Sequence, residues 1–95
     1  MKCTVAYRSN HVIMDFEGES FNNIITIYVS LDGRARSSIE VHNKFERHTI
    51  FILLAYSKLA DELIGYSSCK ALVNSFISLL RDGIENLEVV IDEVK

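Results

Sequence analysis

The sequence predicts an α+β domain in which an antiparallel sheet of about four strands, formed by two hairpins, is followed by two C-terminal helices packed on one face. Three observations predict this class. Apolar residues alternate with period two in residues 1–42, an Asp-Gly pair interrupts the alternation, and a helical period begins at about residue 43. We therefore expect a single domain, 1–95, with a β-sheet half (1–42) and a helical half (43–95).

The first hairpin is predicted around a short turn at Ser9–Asn10. Val5 and Tyr7 share one face of the run before this turn, and Val12 and Met14 share one face of the run after it. Serine and asparagine favour turns because their side chains bond to the nearby backbone. Two alternating runs joined by so short a turn indicate adjacent antiparallel strands.

The second hairpin is predicted from Ile24–Leu31 and Arg34–His42, joined by Asp32–Gly33. The first of these runs is rich in β-branched residues, which favours a central position in the sheet. Its second face, with Ile24, Thr26 and Tyr28, is only partly polar, so that side can also be covered. The Asp-Gly pair accepts the positive φ angles of a two-residue hairpin turn, so the chain is expected to reverse there.

Two helices are predicted in the second half of the sequence. Apolar residues recur at spacings of three and four from about Asn43, and Gly65 ends or bends this first helix. Ser67 or Ser68 can cap the second helix by accepting a backbone N–H. These signals place two apolar-faced helices against the sheet.

The segment after Gly83 has two interpretations. A heptad pattern continues through it and predicts that the second helix extends to the end of the sequence. The alternative is that Asp82–Gly83 ends the helix and that the β-branched run around Leu87–Ile91 forms a fifth strand. The heptad positions are Cys69, Val73, Phe76, Leu80, Gly83, Leu87, Val90 and Val94.

Composition limits the classes of function. The chain is 48% hydrophobic and 24% charged, as expected of a globular domain. Its longest apolar run, Ile50–Tyr56, is far shorter than the ~18 residues of a membrane span, and its first residues lack the apolar core of a secretory signal. We therefore expect a cytoplasmic protein with no membrane partner, in which Cys3 and Cys69 are buried thiols rather than a disulfide.

Charge is distributed unevenly along the chain. The formal net charge is −3, and residues 49–95 carry four basic and seven acidic side chains, whereas residues 1–48 carry six of each. This acidic half disfavours a nucleic-acid backbone and favours a basic protein surface as partner.

Catalytic and cofactor signatures are weak. Glu40, His42, Glu46 and His48 are candidates for a metal or acid–base site, but their spacing matches no recognised ligand pattern. The glycines are isolated, so no phosphate-binding loop is indicated. We expect no cofactor, no metal and no catalytic residues; polar side chains at a strand-to-helix corner are the simpler explanation for the histidines.

Candidate binding residues lie in both halves. Arg34 and Arg36 follow the second hairpin turn and can contact phosphate or a carboxylate, although charged side chains also protect edge strands. The acidic side chains Glu85, Glu88 and Asp92 offer a second partner-binding surface. The second helix carries apolar residues around much of its circumference, which predicts either a core helix or a homodimer interface, and we favour a homodimer formed through this helix or through a strand edge. The residues concerned are Leu72, Phe76, Leu79 and Leu80.

These observations lead to three functional hypotheses. The first is a non-enzymatic, small cytoplasmic interaction protein that regulates or inhibits a protein partner, as small acidic proteins of phage or accessory-gene type do. The alternative is a nucleic-acid-binding regulator that uses the basic β-hairpin. The third is a small metal-assisted enzyme built around His42 and His48.

Overall fold

A computed structural model gives the structure of residues 1–19 and 22–93. It contains a five-stranded mixed sheet and two α-helices, which confirms the predicted α+β class. The strands are β1 (Lys2–Arg8), β2 (His11–Glu17), β3 (Ile25–Ser30), β4 (Arg36–Val41) and β5 (Glu88–Glu93), and the helices are α1 (Thr49–Asp61) and α2 (Cys69–Arg81). A short 3-10 helix at Leu63–Gly65 joins the two helices.

The strand order is β4-β3-β2-β1-β5, and both predicted hairpins are present. In the first hairpin Arg8 lies opposite His11, so Ser9 and Asn10 form a two-residue turn, with Ser9 at a φ of 53°. The second hairpin differs in detail from the prediction. Pairing stops at Ser30 opposite Arg36, which leaves a five-residue connection that contains Gly33 at a φ of +54°.

The segment after Gly83 forms the fifth strand, so the prediction of a helix to the end of the sequence is wrong and the alternative is confirmed. The last turn of α2 ends at Arg81, and β5 pairs in parallel with β1, Lys2 lying opposite Glu88. The β-branched run in β5 fits a sheet, where β-branched side chains pack well, and β1 offers it a free edge. Val94, the last heptad position, lies outside the described residues.

Both helices cover the same face of the sheet. The side chains that point toward the helices from β1, β2 and β3 are almost all fully buried, and they pack against buried residues of α1 and α2. Phe16 of β2 meets Phe76 of α2 edge to face, with 6.5 Å between the ring centroids. This single layer of packing is the core of the domain, because the other face of the sheet has no helix against it in the described part of the chain.

Gly83 allows α1 and α2 to approach closely where α2 ends. A Cβ added at this position would overlap the ring of Phe51 in α1. Ile84 follows immediately and donates its backbone N–H to the carbonyl of Leu80, which completes the last helical turn. The absence of a side chain at Gly83 therefore makes room for Phe51 of α1 at the point where the chain leaves α2 toward β5.

Both cysteines are free and buried, as the sequence predicts. Burial, together with the negative charge of Asp15, raises the pKa of the Cys3 thiol from 9.0 to about 12. Burial also raises the pKa of the Cys69 thiol. Since the thiolate is the reactive form, both side chains are suited to packing rather than to redox or nucleophilic chemistry.

A reactivity measurement tests the environment of Cys3. In a Cys69→Ser variant, alkylation of Cys3 at neutral pH is expected to be roughly a thousandfold slower in the folded protein than in urea, because a rise of three pKa units lowers the thiolate fraction by that factor. The reaction is followed by mass spectrometry. Similar rates in the folded and unfolded protein would contradict the burial of this thiol.

Candidate functional site

The charged residues singled out from the sequence lie mostly on the uncovered face of the sheet, which we call the open face. Arg36 is on β4, whereas Glu88 and Asp92 are on β5, and all three side chains are exposed. Since β4 and β5 are the two edge strands, roughly 19 Å of sheet separates the arginine from the two acids. The fold thus brings the three residues to one face but not to one point.

The other two predicted binding residues lie in connections. Arg34 is exposed in the turn between β3 and β4, next to the end of the sheet that carries Arg36. Glu85 is exposed between α2 and β5. The two arginines and the three acids therefore form two separate groups.

The centre of the open face carries one row of apolar side chains. Tyr28 of β3, Ile13 of β2 and Ala6 of β1 are cross-strand neighbours, since Tyr28 pairs with Ile13 and Ile13 pairs with Ala6. All three are half-buried, and the row ends at Asp92 of β5. His11 tilts against the Tyr28 ring, with 5.5 Å between the ring centroids. The face therefore has an aromatic and aliphatic centre rather than a uniformly polar surface.

Charges of opposite sign lie on the two sides of this row. Toward the hairpin turns, the next cross-strand row contains Arg36, His11 and Arg8, and Arg8 is 4.0 Å from Asp92. On the other side, the next row contains Glu40 and Asp15. The two rows are four residues apart along each strand, or about 13 Å. The open face is basic at one end and acidic at the other.

A hydrogen-bonded relay fixes the orientation of His42. The Thr26 hydroxyl donates to the Asp15 carboxylate over 2.7 Å, because a carboxylate can only accept. The same hydroxyl oxygen lies 3.0 Å from His42 Nε2 and must accept from it, so Nε2 carries the proton. Glu40 is 3.9 Å from the same nitrogen. These side chains hold one another in place at the acidic end of the open face.

His48 belongs to a different contact, at the start of α1. Glu46 accepts hydrogen bonds from the backbone N–H of His48 at 3.0 Å and from its Nδ1 at 2.8 Å. Nearby, the Thr49 hydroxyl donates to the carbonyl of Asn43. These bonds order the turn that leads into α1. His48 is the N-cap residue of the helix, and its side chain bonds to Glu46 instead of capping a helical N–H.

No metal centre joins the two histidines. Within residues 1–19 and 22–93, no group of three or more His, Cys, Asp or Glu side chains is placed to hold a metal ion. A cleft of about 530 Å³ lies beside His48 and is lined by Glu19, Arg47, Glu85 and Asn86 among others. The lining side chains are of mixed charge. His48 and Glu85 both line the cleft, whereas His42 does not, so the cleft does not join the two histidines.

The apolar residues of the second helix are in the core. Leu72, Phe76 and Leu80 are buried, and Leu79 is half-buried and packs against the core. Polar and charged residues occupy the outward face of α2, where Ser68 caps the helix by accepting the N–H of Ala71. The apolar side chains around this helix are therefore covered by the rest of the core, as expected of a core helix.

Exposed apolar residues occur instead on α1, where the sequence prediction did not place them. Ile50 and Leu54 are 63% and 66% exposed, and Phe45, just before the helix, is 87% exposed. A signal was present, because the apolar run Ile50–Tyr56 covers almost two helical turns and cannot direct every side chain to one side. We call the exposed side of α1 and the turn before it the α1 stripe, and we define it by Arg47, Ile50, Leu54, Lys58 and Asp61.

Comparisons with protein-family models, with curated proteins and with solved structures gave no match. No helix in the part of the chain that the structure describes has the length and apolar character needed to cross a membrane. The functional interpretation therefore depends on the two surfaces just described, the open face and the α1 stripe.

Proposed function

We propose that this protein is a non-enzymatic interaction protein that regulates or inhibits a protein partner by binding it on the open face of the sheet. The observation that carries the proposal is the half-exposed row of Tyr28, Ile13 and Ala6 between rows of opposite charge. Protein interfaces have this anatomy, an apolar centre with a polar rim, and tyrosine and arginine are enriched among the residues that dominate binding. A cytoplasmic setting suits the two free thiols.

The charge pattern defines the chemistry of the partner. A complementary surface carries an apolar patch that covers Tyr28 and Ile13, carboxylates that face Arg8 and Arg36, and basic groups that face Glu40. Because the face has both signs of charge, it selects the orientation of the partner as well as its identity. A wholly basic or wholly acidic partner would meet like charges at one end of the open face.

The contacts of His42 and His48 support a binding function rather than a catalytic one. His42 is held by Thr26 and Glu40 at the edge of the open face, and His48 is held by Glu46 at the start of α1. Each of these two histidines has a structural partner of its own, so a proposal of acid–base chemistry between them gains no support from their positions.

Site-specific crosslinking tests the proposal. A photoreactive phenylalanine analogue at Tyr28 is expected to crosslink one defined protein in extract of the producing cells, whereas the same analogue at Asn74, on the outward face of α2, is not. The partner is then purified and titrated by calorimetry. Ile13→Glu is expected to weaken binding at least tenfold, because it places a carboxylate in the apolar centre.

The same experiment separates this function from nucleic-acid binding. That alternative is favoured by the cross-strand row of Arg36, His11 and Arg8, which is next to the row of Tyr28, because basic groups can pair phosphates and an aromatic ring can stack a base. Crosslinking of Tyr28 to RNA or DNA, lost in an Arg34→Ala, Arg36→Ala variant, would replace the proposal by this alternative. Equal crosslinking from Tyr28 and Asn74 would overturn both.

A further inference from the structure

The most exposed large apolar side chains of the described residues cluster around α1. Phe45 and Ile64 are 87% and 92% exposed and lie just before and just after the helix, while Ile50 and Leu54 are exposed on it. α1 packs its buried side against the core and presents these residues to solvent, on the side of the sheet opposite the open face. Such a patch is costly to leave in water and typically marks an interaction site.

Charges along the α1 stripe are ordered. Arg47 lies at its N-terminal end, with Lys44 close by, and Asp61 lies at its C-terminal end, followed by Glu62. Ile50, Leu54, Lys58 and Asp61 follow one another on α1 at spacings of three and four, so they form one continuous line on the helix surface, and Arg47 lies in the turn two residues before the helix begins. The stripe therefore begins with a basic residue, is apolar at Ile50 and Leu54, and ends with Lys58 followed by the acidic Asp61.

We propose that the α1 stripe binds the α1 stripe of a second copy of this chain, with the two helices antiparallel around a two-fold axis near Leu54. Arg47 and Asp61 are each seven residues from Leu54, so an antiparallel pair places Arg47 of each copy against Asp61 of the other. A two-fold interface uses the same surface on both subunits, and this surface is complementary to itself only in the antiparallel orientation.

The remaining residues fit the same arrangement. Phe45 and Ile64 lie at opposite ends of the stripe, so the antiparallel pair brings Phe45 of one copy to the end that carries Ile64 of the other. Ile50 and Lys58 are each four residues from Leu54 and therefore meet across the axis, where the lysine stem covers the isoleucine. A parallel pair would instead place Arg47 against Arg47 and Asp61 against Asp61.

The expected dimer is weak. A helix of 13 residues is about 20 Å long. One such helix buries less surface than the roughly 800 Å² per partner of a standard stable interface. We therefore expect a micromolar equilibrium between monomer and dimer. The inference does not depend on the proposed function, since it uses the other side of the molecule.

Sedimentation velocity across the micromolar range tests the inference. The wild-type chain is expected to shift from monomer to dimer as the concentration rises. Leu54→Glu is expected to weaken dimerisation at least tenfold, because two carboxylates meet at the axis. Asn74→Glu, which adds the same charge to the outward face of α2, is the matched control and is expected to leave dimerisation unchanged. A wild-type chain that stays monomeric, or equal effects of the two variants, would overturn the inference.

A charge exchange tests the antiparallel orientation. Arg47→Glu alone and Asp61→Arg alone are each expected to weaken dimerisation about fivefold to tenfold, because each places like charges together twice in the dimer. The double variant restores opposite charges across the interface and is expected to return dimerisation to within about twofold of wild type. All three variants alter exposed residues, and circular dichroism checks their folding. Failure of the double variant to recover would exclude the antiparallel pair.

Discussion

Phe76→Ala is expected to lower the free energy of unfolding by about 3–5 kcal/mol. Phe76 is only 2% exposed, and its ring joins α2 to the sheet through an edge-to-face contact with Phe16. Removing the ring loses the buried apolar area and the aromatic contact, and it leaves a cavity that the surrounding core fills only in part. Urea unfolding followed by circular dichroism measures the effect.

Phe45→Ala is the matched control, because it makes the same chemical change at a side chain that is 87% exposed. At concentrations where the protein is monomeric, we expect it to change the free energy of unfolding by no more than about 0.5 kcal/mol. Similar losses for the two variants would show that α2 does not form the core in the manner described.

Val90→Pro is expected to destabilise the fold by about 1–3 kcal/mol more than Ile91→Pro. Glu88 donates its N–H to the carbonyl of Met1, so strand geometry directs the N–H of Val90 toward β1 and that of Ile91 toward the free edge. Proline has no N–H, and at position 90 it therefore leaves a carbonyl of β1 without its donor. At position 91 the missing N–H faces the edge, where proline is tolerated.

The pair of proline variants also separates the strand from the helix that the heptad pattern predicts. Inside a helix, adjacent prolines each remove one hydrogen bond and clash with the preceding turn, so Val90→Pro and Ile91→Pro would cost the same. Thermal and urea unfolding of the two variants, side by side, gives the difference. Equal losses of stability would contradict the parallel pairing of β5 with β1.

The first four strands could be predicted because their signals are local. Apolar residues at every second position, such as Val5 and Tyr7 or Val12 and Met14, indicate which side chains face the core, and the turn residues indicate where the chain reverses. The length of the second turn could not be predicted from its own residues. Pairing of Ser30 with Arg36 follows from the register of the finished ladder, which Asp32–Gly33 alone does not fix.

The fifth strand could not be decided from the sequence, because Leu87 and Ile91 satisfy both a helical and an extended pattern. What decides between them is the free edge of β1, which exists only once the sheet is formed. Tertiary context of this kind overrides local preference most easily in short, β-branched segments.

The candidate surfaces were predicted only in part. Arg36, Glu88 and Asp92 were named from their charge, and their shared face follows from the strand register, which the sequence does not give. The exposed residues Ile50 and Leu54 were missed because an apolar residue in a helix was assigned to the core. Which of the two helices lies more deeply buried depends on their packing against the sheet.

The pairing of β1 with β5 has a consequence for the order of folding. The two hairpins join residues close in sequence, whereas Lys2 and Glu88 are separated by almost the whole chain, so their contact carries a larger loop-closure entropy. We therefore expect the hairpins to form early and the β1–β5 ladder last. Until then the edge of β1 that β5 later covers has unsatisfied backbone groups, and a nascent chain on the ribosome would expose this edge to neighbouring chains.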